Sequence, residues 1–361
     1  MDKLDIFFKI KKSNFSLAVL LLAFCMLGLV FLYLVGNAQL EETFPPLQFF
    51  ADSNTYIKTF RGEDDNGAII RVDGNYLGPL LVLNVFQGNN YLILLFNVCV
   101  FAVSVIEIAR KLKLNSLHLG IFLLLSPLTV SSLLAVNKEI FLFPFLALAL
   151  NAYLRKSLFF ALIAFCFCLL VRWQLGIFYM VLMLIIRWRH MISSRVKLLL
   201  AMLVVISVVY LAVQPIIEPI LLYVQLSNEN YEEGGSGLFE RVLEIQNSGF
   251  YFLIFPLKAF HLLFGMGFKV DKILNPVELY NDLFVAGHCA VTFMIFLILF
   301  LKRKISINSD LLFVAVIFLV FFCVTPIFAP RYLYFVFVLG VLELLGAPAN
   351  LAELQTRRRS R

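Results

Sequence analysis

Apolar residues in this chain come in long runs, and polar residues are confined to the short gaps between them. A helix must be about 20 residues long to cross the hydrocarbon core of a bilayer. The runs that read as spans are 15–36, 91–109, 116–136, 140–154, 157–171, 174–187, 197–214, 283–301, 311–328 and 332–348. The shorter ones need flanking residues at the interface. The pattern predicts an all-α, polytopic membrane protein with about ten transmembrane helices, forming a single integral-membrane domain over 1–348. The run Phe15–Val35 follows Lys9, Lys11 and Lys12 and is longer than a signal-peptide core, so it reads as a retained signal anchor.

Charge then orients the spans. With the N-terminus inside, the clusters Lys9–Lys12, Arg110–Lys113, Arg155–Lys156, Arg187–Lys197, Lys302–Lys304 and Arg357–Arg361 all face the cytoplasm. Together with Lys3, that side holds 20 of the 30 Lys and Arg but only 6 of the 23 Asp and Glu. This asymmetry follows the positive-inside rule and places both termini in the cytoplasm. The apolar stretch 249–266 must then stay on the outer side, as an interfacial or re-entrant segment, because a crossing there would flip every later basic cluster. Lys258, His261 and Pro256 within it agree. Two long periplasmic loops result, about 37–90 and 215–282, and the tail 349–361 is a basic cytoplasmic segment suited to anionic lipid.

Composition narrows the function classes. The chain is 61% hydrophobic with 39 Phe, a mean hydropathy of +0.92 and only 15% charged residues, against roughly 25% in soluble domains. The net charge of +7 is accounted for by topology, and no nucleic-acid partner is expected. Cys25, Cys99, Cys166, Cys168, Cys289 and Cys323 all sit in apolar runs and read as small core residues. His118, His190, His261 and His288 lack partners at metal-ligand spacing. No GxxxxGK[ST], GxSxG or HExxH run occurs, and the cytoplasmic connections have no room for a nucleotide-binding domain.

The unusual polar residues gather on the outer side. Asp52 and Tyr56 lie in the first loop, where Asp52 is placed either as a general base or metal ligand, or as a helix N-cap. Residues 80–86, too short to cross, read as lying along the outer interface. Asn137-Lys138-Glu139 occupies the tight turn between the third and fourth spans. Charges at that depth are costly and face a cavity or a partner. Glu139 suits a general base and Lys138 a phosphate ligand, while a locally paired Lys and Glu in an ordinary turn is the alternative. Arg172-Trp173-Gln174 forms the next outer turn. Arg331-Tyr332 lies between the last two spans. Each Arg suits a pyrophosphate or a lipid headgroup, and Trp173 suits a sugar ring or the interface belt. In the second loop, Asn228–Gly237 reads as a flexible lid and 238–247 as an amphipathic helix.

Taken together, Asp52 with Tyr56, the Asn137-Lys138-Glu139 turn, the Arg172 turn and Arg331 resemble the bacterial surface-polysaccharide membrane enzymes. These are the O-antigen and capsule repeat-unit polymerases and the broader C-type glycosyltransferases. The resemblance implies a multi-pass protein of the bacterial inner membrane, acting in lipopolysaccharide or capsule biosynthesis. It would transfer sugar from an undecaprenyl-diphosphate-linked donor on the periplasmic face. Asp52 or Glu139 would be the base, and Arg172, Lys138 and Arg331 would stabilise the leaving pyrophosphate, with Asn137, Tyr56, Trp173, Gln174 and Tyr332 binding substrate. No cofactor is implied. A divalent metal is not favoured, because Asp52 has no adjacent acidic partner. Partners would be the lipid-linked oligosaccharide, membrane lipids and a polysaccharide chain-length regulator. A transporter or flippase of lipid-linked oligosaccharide, and a non-catalytic membrane subunit, are the competing readings.

Overall fold

An apolar run can satisfy its backbone in lipid only by bonding within itself. Each of the ten runs accordingly contains helix. The computed structural model describes residues 3–37, 51–62, 74–188, 194–232, 238–265, 283–325, 330–348 and 351, and among these every regular element is helical. In chain order the α-helices are α1 (Lys3–Asn37), α2 (Ala51–Arg61), α3 (Leu77–Phe86), α4 (Asn90–Leu112), α5 (Ser116–Leu124), α6 (Pro127–Leu134), α7 (Leu142–Arg155) and α8 (Leu158–Val171). They continue with α9 (Trp173–Arg187), α10 (Arg195–Glu232), α11 (Leu238–Ile245), α12 (Tyr251–Phe264), α13 (Val285–Leu301), α14 (Asp310–Phe322) and α15 (Tyr334–Leu344).

Three of these, α1, α4 and α10, contain stretches long and apolar enough to cross a membrane. The run 116–136 is not one straight helix. It breaks at Leu125-Ser126 and turns by 94° into α6, so it makes a fourth crossing only if the bent pair counts as one. The cause is local: Pro127 opens α6, and the residue before a proline is driven out of the helical region, as the extended Ser126 shows (φ −78°, ψ 122°). Five more apolar helices, α3, α8, α9, α13 and α14, are shorter than a full crossing. Their outward faces are greasy: Phe15, Leu27 and Leu158 are more than two-thirds exposed. Such a surface suits lipid rather than water.

The chain forms two compact units. The first is built on Met1–Met183 and the second on Leu184–Val277 with Asn281–Leu344. In the first, α1, α4, α7 and α8 pack in succession, with α2 and α3 against one end. At the opposite end Ser13 donates to Asn115 (2.6 Å), Ser116 to Asn14 (2.7 Å), and Asn151 to Glu107 (3.0 Å), which also pairs with Arg110 and Lys111. In the second unit α14, α15 and α13 pack together, α10 and α12 join them, and Arg195 grips Asp310 (2.5 Å) and the carbonyls of Ile307 and Asn308.

Two expectations change. The second loop is not open from 215 onward, because α10 continues as helix to Glu232; that takes in Asn228–Glu232 of the expected lid, whose remaining residues lie outside those described. Among the cysteines, Cys99 and Cys166 are exposed rather than core, since they sit on outward faces of α4 and α8. The amphipathic stretch 238–247 is helical, as α11, through Ile245. The tail 352–361 and His190 lie outside the described residues.

Candidate functional site

The turn that carries Lys138 and Glu139 begins with the end of α6. Helix ends leave carbonyls without intrahelical donors. Here the Asn97 side-chain amide, from α4, donates to the carbonyls of Ser132 (3.1 Å), Leu133 (3.3 Å) and Ala135 (3.0 Å). An amide has two hydrogens, so the three acceptors share them. Asn97 is 1% exposed and lies seven residues into α4, about 10 Å along its axis. The chain then extends through Asn137, whose side-chain oxygen accepts from the Glu139 N–H (3.4 Å) and opens a 3-10 turn over Lys138–Phe141. Asn137, Lys138 and Glu139 are all buried.

Arg172 reaches this turn from the junction of α8 and α9. One extended residue (φ −165°, ψ 137°) joins the two helices: its N–H donates to the Cys168 carbonyl (2.8 Å) and its own carbonyl accepts from Leu175 (3.0 Å). The guanidinium donates to Glu139 Oε1 at 2.8 Å, with the Arg and Glu side chains 9% and 6% exposed. Glu139 therefore pairs with a residue 33 positions away rather than locally. Its second oxygen, Oε2, is buried and accepts no hydrogen bond among the described residues. A carboxylate has about four lone-pair sites, so this one holds unused acceptor capacity next to a fixed cation. The Gln174 side-chain oxygen is likewise buried without a partner, whereas Trp173 is half exposed.

The first loop packs onto this junction. Gly74–Tyr76 form a 3-10 turn that leads into α3, and both contact α8. A Cβ at Gly78 would stand 2.2 Å from the Leu170 carbonyl oxygen and 2.9 Å from the Phe141 ring, so only glycine permits this approach. Residues 80–86 belong to α3, whose Val82 and Leu83 are buried. Tyr56, on α2, is 3% exposed and meets Tyr76 edge-on with ring centroids 5.0 Å apart. Tyr56 is thus a core residue of the first unit. Asp52 is the second residue of α2, and its side chain lies outside the described set.

The structure brings Glu139 and Arg172 into contact, with Asn137 and Lys138 on the same turn. Arg331 and Tyr332 belong to the second unit, in a 3-10 turn over Pro330–Leu333, with the guanidinium 6.0 Å from the Tyr332 ring centroid. Sequence reasoning missed Asn97, whose signal was a lone amide inside a long apolar run. It also missed Gln246, and it used Lys258 only as a mark against a crossing. Among the described residues no group of three His, Cys, Asp or Glu could hold a metal ion.

Comparison with known proteins places the chain in no family: no family model, no curated protein and no solved structure matches it.

Proposed function

We propose that this protein is a membrane glycosyltransferase of the polymerase type. It would sit in the bacterial inner membrane with about ten crossings and both termini cytoplasmic, moving sugar from a polyprenyl-diphosphate donor to an acceptor hydroxyl on the periplasmic face. The observation that carries this reading is the buried Glu139–Arg172 pair with its unused carboxylate oxygen. In the reaction, Glu139 Oε2 takes the proton of the acceptor hydroxyl as that oxygen bonds to the anomeric carbon. The bond from that carbon to the diphosphate breaks, and the lipid diphosphate leaves. Arg172 offers its planar fork to the departing charge, the larger electrostatic task. The topology is supported by contacts between residues that the charge pattern assigns to one face: Ser13 with Asn115, Glu107 with Asn151, and Arg195 with Asp310.

A second reading, a flippase for the same lipid-linked sugars, is favoured by one observation. The 94° break between α5 and α6 is the kind of discontinuous helix from which transporters build midplane sites.

The deciding experiment supplies the purified protein in lipid nanodiscs with a polyprenyl-diphosphate-linked oligosaccharide, without ATP or nucleotide sugar. Chain growth is expected, and it is lost in Arg172→Ala and Glu139→Gln variants that still insert. No product from any lipid-linked donor would refute the enzyme reading in favour of the flippase.

A further inference from the structure

The end of the first unit that carries Glu107 holds more positive charge than its carboxylate takes up. There α4 and α7 pack side by side, and Asn151 of α7 donates to Glu107 of α4 (3.0 Å), which fixes where one helix end lies against the other. Glu107 also pairs with the buried Lys111 (3.1 Å) and with Arg110. It is the one carboxylate among the described side chains of this end. Arg110 lies one turn beyond Glu107 and Arg155 one turn beyond Asn151, so the two arginines stand at one level on neighbouring helices. Lys113 and Lys156 follow them, and all four of these cations are exposed.

The two helix ends are built alike. Each closes on a lysine in the left-handed region, Lys113 at φ 60° and Lys156 at φ 52°. In each, the next N–H returns to the carbonyl five residues back: Leu114 to Ala109 (2.8 Å) and Ser157 to Ala152 (3.2 Å). Glycine ordinarily takes this position, because a Cβ crowds the backbone there. A lysine gives up some of that ease and sets an ammonium at the negative end of the helix dipole. The same costly choice, made on two packed helices, points to a use for the charge.

The surroundings indicate what the charge meets. The Arg155 guanidinium lies over the Phe160 ring at 4.9 Å. Leu158, Phe159 and Leu162 stand exposed at the start of α8, and Val103 stands exposed two turns before Arg110 on the same face of α4. Exposed apolar side chains beneath a rim of cations fit a lipid, whose acyl chains cover the first while its phosphate meets the second. Packed helix axes run about 8–10 Å apart. Each end offers an arginine fork, which grips phosphate oxygens in pairs, and a lysine beside it.

We infer that the ends of α4 and α7 bind an anionic phospholipid carrying two phosphates in one headgroup, one phosphate to each helix end. The inference is independent of the glycosyl-transfer reading.

The test offers the purified full chain in detergent either tetraoleoyl cardiolipin, with two phosphates, or dioleoyl phosphatidylglycerol, with one, at equal total phosphate. Native mass spectrometry reads the bound lipid. Wild type is expected to retain cardiolipin about tenfold or more over phosphatidylglycerol, because the second phosphate binds intramolecularly. Lys113→Gly with Lys156→Gly is expected to lower cardiolipin retention by about tenfold or more. Its thermal unfolding temperature stays level or rises, because glycine suits the left-handed backbone. Arg110→Gln with Arg155→Gln is a second variant with the same expected loss. Equal retention of the two lipids overturns the inference and leaves a general attraction of charge. Undiminished cardiolipin in either double variant also overturns it, as does a loss in the lysine variant that comes with a lowered unfolding temperature.

Discussion

Replacing either member of the Glu139–Arg172 pair alone is a more severe change than replacing both. The two side chains are 6% and 9% exposed and meet at 2.8 Å, so removing Arg172 leaves the Glu139 carboxylate largely out of water without its cation. Breaking a buried pair in this way costs about 3–5 kcal/mol, whereas filling the space of both with apolar side chains is often neutral or favourable. Glu139→Leu and Arg172→Met are therefore each expected to lower stability by about 3–5 kcal/mol, and the double variant to recover to within about 1 kcal/mol of the parent or better. Reversible unfolding in mixed micelles reads these values, and the double-mutant cycle isolates the coupling. On the proposed glycosyl-transfer reading, activity follows the opposite logic: both single variants and the double lose it, because each removes the unused Glu139 oxygen, the guanidinium or both. A single-variant cost below about 1 kcal/mol, the range of exposed pairs, would refute the claim of burial. A double variant that is stable and still transfers sugar would refute the role in chemistry.

Two further expectations follow from the fold. Asn97→Leu leaves three carbonyls at the end of α6 without their donor, so stability is expected to fall by about 1–3 kcal/mol, with faster hydrogen exchange at 136–141, read by mass spectrometry in micelles. A single cysteine at the exposed Trp173 position is expected to react with an impermeant thiol reagent in intact cells, and one at the exposed Lys156 position only after permeabilisation; the reverse pattern would invert the topology.

The helices were readable from the chain because lipid leaves the backbone so few choices. All ten apolar runs contain helix, and the charge irregularity at Arg172 marked a residue that the structure pairs with Glu139. What the pattern concealed were the interruptions and the partners. Hydropathy averages over the 116–136 run and passes across Ser126-Pro127, although the proline itself was a legible signal of a new helix start. The continuation of α10 beyond Gln214 was hidden because it passes through Pro215 and Pro219, residues that ordinarily interrupt a helix. Partners such as Asn97 for Ala135, or Lys258 for Thr325, lie 38 and 67 residues apart, and spacing along a helix carries no information over that range.

The bend between α5 and α6 bears on how the chain is made. Neither half, at 9 and 8 residues, would be accepted by the insertion machinery alone, since each is less than half the length of a span. The two halves reach membrane length only together, so a charge placed in either one would weaken the insertion of both.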